Sequence, residues 1–173
     1  YQTFREVLSK NDDTGAALQA AIDVGVTQEL TWLGLGASGV FSYADLEANY
    51  QGFRFFYDLC DGPEQLLRIN DQGWYLREPV DLRAYVNPWW DESLNNCAYT
   101  EERWLGVKQA LKDYCPLLEE PHVQARRRTL RRNPRPSVST LYLAALAEIG
   151  RIPDNHSFSI EQACGPVQPP DRG

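Results

Sequence analysis

The stretch SYADLEANYQGFRFFYDLC, Ser42 to Cys60, is apolar around most of a helical circumference. At roughly 100° per residue, Tyr43, Leu46, Tyr50, Phe53, Tyr57 and Cys60 line one face. Glu47, Gln51, Arg54 and Asp58 form a narrow polar strip beside it, in which Arg54 and Asp58 are a favourable pair four residues apart. Ala44, Ala48 and Gly52 follow as a ridge of small residues, then Phe55 and Leu59. A helix with so little polar surface has to be covered on several sides, so the rest of the fold is built around it. The fold class that follows is mainly α (α-rich, α+β at most): a multi-helix domain around a central buried helix at about 42–60. The small-residue ridge predicts a close neighbour, which would account for a mid-helix Gly52 despite a cost of about 1 kcal/mol.

Asp45 and Asn49 fall next to that ridge, away from the polar strip. Enclosed polar groups need hydrogen-bond partners. The expectation is therefore that both are buried and bonded, with Asp45 capping first-turn N–H groups and Asn49 bracing it or a nearby loop. The functional alternative makes Asp45 a buried acid, base or ligand group, with Glu47 as a further carboxylate candidate on the same helix.

Elsewhere the chain reads as helices joined by short loops. DDTGAALQAAIDVG offers Asp and Thr caps and a closing Gly25. Ser42 caps the central helix and Gly62 stops it. LLRINDQGWYLRE predicts a β-hairpin at about 66–77, with Gly73 in a left-handed position. Asp81 caps a short turn of helix. Thr100 starts a helix that stops before Pro116, with Tyr99 and Trp104 packed as a staple. A last helix, SVSTLYLAALAEIG, is closed by Gly150, and the proline-rich tail is irregular unless Cys164 pins it. The organisation is a helical core domain with hairpin over 1–125, an Arg/Pro-rich linker over 126–136, and a C-terminal helix and tail over 137–173 packing on the same core.

Charge is unevenly spread over the 173 residues. The segment RRRTLRRNPR, Arg126 to Arg135, holds six of the 17 basic residues and no acid. The remainder carries 11 basic against 24 acidic residues, a formal charge of −13. An acidic body with one arginine cluster, lacking interleaved aromatics, does not fit a nucleic-acid binder. The cluster is expected to be an exposed, mobile connector, with partner docking or proteolytic processing as its functional alternative.

The cysteines Cys60, Cys97, Cys115 and Cys164 form no CxxC pair, and only His122 and His156 accompany them, so no metal site is expected. At least one disulfide is expected, involving Cys60 or Cys115 at predicted helix ends. The chain has no Met and opens directly on a helical pattern at Tyr1. Together these predict a trimmed, exported chain that is extracytoplasmic, periplasmic or secreted. No apolar run approaches the ~18 residues of a membrane span. Asn155-His156-Ser157 is an isolated glycosylation sequon.

The loop YVNPWWDESLNN, Tyr85 to Asn96, carries the best ligand-binding chemistry. Trp89 and Trp90 offer aromatic faces, and Asp91 and Glu92 offer orientation or proton transfer. The structural alternative places the tryptophans in the core and uses Asp91 as a cap. No nucleophile elbow, phosphate loop, dinucleotide fingerprint or zinc motif is present. No cofactor is expected. Two functions remain: a non-enzymatic binding domain for a protein or carbohydrate partner, using Asn49, Trp89 and Trp90, or a small glycosidase-like hydrolase using paired carboxylates among Asp45, Glu47, Asp91 and Glu92.

Overall fold

The computed structural model describes residues 1–132 and 135–165. The expectations for the proline-rich tail beyond Gly165, and for Asn133 and Pro134, lie outside the described residues. The protein is mainly α-helical. Helices α1 (Gln2–Asn11) and α2 (Thr14–Leu30) pack on each other, and α3 (Leu35–Ser38) and strand β1 (Val40–Phe41) lead into α4 (Tyr43–Cys60). The hairpin β2 (Leu67–Asn70) and β3 (Gly73–Leu76) is followed by 3-10 turns at Leu82–Ala84 and Pro88–Trp90. Strand β4 (Ala98–Tyr99), α5 (Glu101–Leu111), a 3-10 segment (Lys112–Glu119) and α6 (Pro121–Arg131) come next. Helix α7 (Val138–Glu148), a last 3-10 turn (His156–Phe158) and α8 (Ile160–Cys164) complete the order.

Polar capping at the helix starts follows the sequence. Ser42 Oγ accepts the Asp45 N–H at 3.1 Å, Thr100 Oγ1 accepts the Arg103 N–H at 3.4 Å, and Asp81 caps its 3-10 turn. Tyr99 and Trp104 stack with ring centroids 5.4 Å apart, and Phe158 packs edge-on against both. Strands β1 and β4 pair antiparallel, Val40 with Tyr99 and Phe41 with Ala98, which ties the start of α4 to the start of α5. The hairpin forms in the expected register around Asp71-Gln72, with Gly73 at φ 115°, a conformation that suits glycine alone. Ile22 and Val26 of α2, Tyr43, Leu46 and Tyr50 of α4, and Leu143 and Leu146 of α7 share one core with Phe41, Ala98 and Ile152.

Several expectations are corrected. The face of α4 carrying Tyr43, Leu46 and Tyr50 is buried as predicted, but the neighbouring polar strip is buried with it: Glu47 is 0% and Gln51 2% exposed. Asp45, Asn49 and Gly52 are exposed instead. The helix is rotated so that its polar strip meets α7 and the loop at 87–90. The ridge attracts no neighbour at Gly52, where an added Cβ would meet nothing within 4 Å. Close approach occurs at Gly25, which does not end its helix: α2 continues to Leu30, and a Cβ at Gly25 would lie 3.0 Å from Leu46 Cδ2. Helix α5 does end before Pro116, at Leu111, and the chain continues as a 3-10 segment that runs through the proline. The arginine run is helical as far as Arg131, with Pro121 at the favoured first-turn position. Arginine and alanine are good helix formers, so the segment winds until the prolines that follow.

Cys115 and Cys164 are joined by a disulfide across 49 residues, fastening the 3-10 segment to α8. A loop of that length constrains the unfolded chain by about 4 kcal/mol in the chain-entropy picture. Cys60 and Cys97 are free. Among the described residues, no helix is long and apolar enough to cross a membrane.

Candidate binding cleft

Glu47 organises the centre of the molecule. Its Oε1 accepts Gln51 Nε2 at 2.7 Å and Asn87 Nδ2 at 2.8 Å. Its Oε2 accepts Ser137 Oγ at 2.5 Å and Thr140 Oγ1 at 3.2 Å. A buried carboxylate without a cation is tolerable only when its lone pairs are filled, and here two donors serve each oxygen. The donors come from α4 itself, from the loop before Pro88, and from the cap and first turn of α7. Ser137 Oγ also accepts the Thr140 N–H at 3.0 Å, so the residue that caps α7 is held in turn by Glu47.

Two of these tethers fix the walls of a cleft of about 620 Å³. Asn87 Oδ1 accepts the Trp89 N–H at 2.9 Å, and the Trp89 carbonyl accepts Asn95 Nδ2 at 3.0 Å. The Trp89 indole N–H donates to the Arg135 carbonyl at 3.2 Å, so the ring is clamped between the loop and the approach to α7. Leu141, Ala144 and Ala147 present an apolar flank of α7 along the cleft, while Trp89 and Pro136 stand at one side. Glu148, Asp154 and His156 supply its charged and ionisable groups. Tyr43 also lines it, and its hydroxyl donates to the Pro153 carbonyl at 2.7 Å. Burial, reinforced by Asp154, pushes the Tyr43 phenol well above its ordinary range, so it stays protonated.

The predicted site residues separate. Trp89 is half-buried and lines the cleft, whereas Trp90 beside it is 39% exposed. Asp91 is a cap: its Oδ1 accepts the Ser93 N–H at 2.9 Å and the Ser93 hydroxyl at 2.6 Å. Glu92 is exposed and lies beside the buried Cys97 thiol, which burial first and Glu92 second push up to about 12. A thiol so shifted is protonated and a poor nucleophile. Asn49 borders a separate pocket of about 190 Å³ with Tyr1, Ile22 and Gly25. None of Asp45, Glu47, Asp91 and Glu92 lines the larger cleft.

Asn155 of the sequon is half-buried, and its Nδ2 donates to the Asn96 carbonyl at 2.9 Å, so the nitrogen a glycan would need is engaged. Thr140, Leu141, Glu148 and Asp154 escaped the sequence reading because they carry no local motif. Their only signal is the helical spacing of 140, 144 and 147–148, which equally fits a core face. Among the described residues, no three His, Cys, Asp or Glu side chains gather as a metal-binding set. Compared with family models, curated proteins and solved structures, the chain matches none of them.

Proposed function

We propose that this chain is a non-enzymatic binding domain, acting outside the cytoplasm, that takes a polypeptide partner in the cleft along α7. The observation that carries the reading is the cleft's lining: an apolar floor and wall with acidic groups at its border. Concave, mainly apolar sites with a few convergent polar groups are the usual form of a recognition site. The floor runs out onto an exposed apolar strip of α7, with Val138 53%, Leu141 58% and Ile149 69% accessible. Such a patch beside a groove suits an apolar side chain inserted from an elongated partner, with a basic residue near Glu148 and Asp154.

A polypeptide is favoured over a glycan because Asn95 and Asn155 each spend an amide N–H inside the fold, on the Trp89 and Asn96 carbonyls, which leaves fewer donors for sugar hydroxyls. Hydrolysis by the carboxylates on α4 and in the Trp89–Glu92 loop loses support, since Glu47 is fully bonded, Asp91 is a cap and neither lines the cleft. The Cys115–Cys164 disulfide supports an oxidising compartment.

Selection from a random displayed-peptide library, with a glycan array in parallel, tests the proposal. Peptides pairing an apolar anchor with Lys or Arg should be recovered, and Ala144→Trp, filling the cleft from an exposed position, should abolish their binding. Peptide binding indifferent to Ala144→Trp, or binders on the glycan array alone, would overturn it.

A further inference from the structure

Helix α6 carries arginines that no acidic side chain pairs with among the described residues. Arg126, Arg128 and Arg132 are exposed, as is Arg135 just beyond the helix. Among the described residues none of these four makes an ion pair, whereas Arg127, half-buried, is bonded to Glu161. Leu130, which is 9% exposed, fastens the helix on the side that Arg126 borders four residues earlier, so Arg128 and Arg132 are the pair that stands on the outer side. The described contacts of α6 thus run through Arg127 and Leu130, and they leave Arg126, Arg128 and Arg132 without an ion pair.

Local electrostatics do not account for them. The helix dipole favours cations in the last turn, by less than about 1 kcal/mol at an exposed site. Arg128 and Arg132 are four apart, however, and like charges at that spacing repel by a few tenths of a kcal/mol. The array is held at a small cost to the helix within a body whose remaining charge is −13. Arginine alone is used, and its planar fork suits paired contact with carboxylates better than an ammonium does.

We propose that the exposed face of α6 is a docking surface for a short acidic segment of a partner polypeptide. Charge complementarity selects this occupant and limits its length. Eleven helical residues span about 16 Å, roughly two Debye lengths at physiological salt. Glu119 and Glu120 stand exposed at the start of the helix, and Glu161 lies beneath it. A membrane plane or a long nucleic acid would be carried over these carboxylates and the acidic body beyond. A short acidic stretch set against the last turn meets Arg128 and Arg132 and stays clear of Glu119 and Glu120 at the far end.

The test is fluorescence anisotropy with a labelled short polyglutamate peptide on the intact chain. The peptide should bind, and binding should weaken at least about tenfold when salt rises from about 50 to about 300 mM. The double variant Arg128→Gln, Arg132→Gln should lose binding by a similar factor while keeping the wild-type melting temperature. The corresponding Lys variant keeps the charge without the forks, and should bind more weakly than wild type but better than the Gln variant. Absence of binding, binding unchanged in the Gln variant, or tighter binding to anionic lipid vesicles or to an oligodeoxynucleotide would overturn the proposal.

Discussion

The two sides of α4 treat polar residues in opposite ways. On the side facing α7, Glu47 and Gln51 are buried, and the Glu47 carboxylate is filled by four donors from three segments. On the side near α2, Asp45 and Asn49 stand in solvent, and the other buried acid, Glu29 at 9% exposure, has the Ser42 N–H at 3.2 Å as its hydrogen-bond donor. A buried carboxylate can thus be a keystone or a liability, and the number of donors decides which.

The largest effect is expected at Glu47. Glu47→Leu keeps the bulk but strands buried donors from Gln51, Asn87, Ser137 and Thr140, and should destabilise the fold by about 3–5 kcal/mol in urea unfolding. Glu47→Gln retains one acceptor and should cost less, about 2 kcal/mol. Because Asn87 and Ser137 hold the two walls around Trp89, Glu47→Gln should also shift the Trp89 emission. A Leu variant within 1 kcal/mol of wild type would show that the network contributes nothing.

Ser139 is the exception on the well-satisfied side. It lies on α7, its side chain is fully buried, and among the described residues its hydroxyl has no partner. Ser139→Ala removes an unsatisfied group and adds helix propensity, so it should stabilise by about 1 kcal/mol. Destabilisation would mean that the hydroxyl is bonded after all, for instance by a buried water.

On the open side, Gly52→Ala should stabilise by up to about 1 kcal/mol through helix propensity, because the added methyl meets open space. Gly52→Leu should be tolerated as well. A loss of stability in chemical denaturation by either variant would restore the close neighbour that the Ala44–Ala48–Gly52 spacing suggested.

These contrasts mark how far the sequence could be read. Capping residues such as Ser42 and Thr100, the Asn70–Gly73 turn and the apolar face of α4 are local features, and they hold. The inward turn of Glu47 and Gln51 was illegible because three of its donors lie 40, 90 and 93 residues away. Local reasoning sends a charged strip to solvent, and only the tertiary partners reverse that. Gly25 was misread for the same reason, since its role is to admit Leu46. Of the cleft, the sequence supplied Trp89; the residues of α7 and the 154–156 turn meet it only through the fold.

The smallest expected effect is at Glu29, and it is visible mainly through pH. Burial raises the Glu29 carboxyl above its ordinary value, the Ser42 N–H partly offsets this, and the nearby Asp45 charge adds to the rise. A carboxyl whose folded value lies above its unfolded value holds its proton more tightly in the native state. Its favourable contribution is therefore complete below the unfolded value, near 4.5, and is lost as pH climbs through the raised folded value. At neutral pH the group therefore costs the fold stability relative to acid. Glu29→Gln can still accept the Ser42 N–H through its carbonyl oxygen, so it removes the charge and keeps the bond. The variant should melt above wild type at pH 7, and the difference should shrink as pH falls towards 4. Asp45→Asn should give a smaller gain of the same sign at pH 7, by relieving the repulsion from outside. A Glu29→Gln variant that melts below wild type at pH 7 and recovers in acid would mean that the carboxylate is held as Glu47 is, and the contrast between the two sides of α4 would fail.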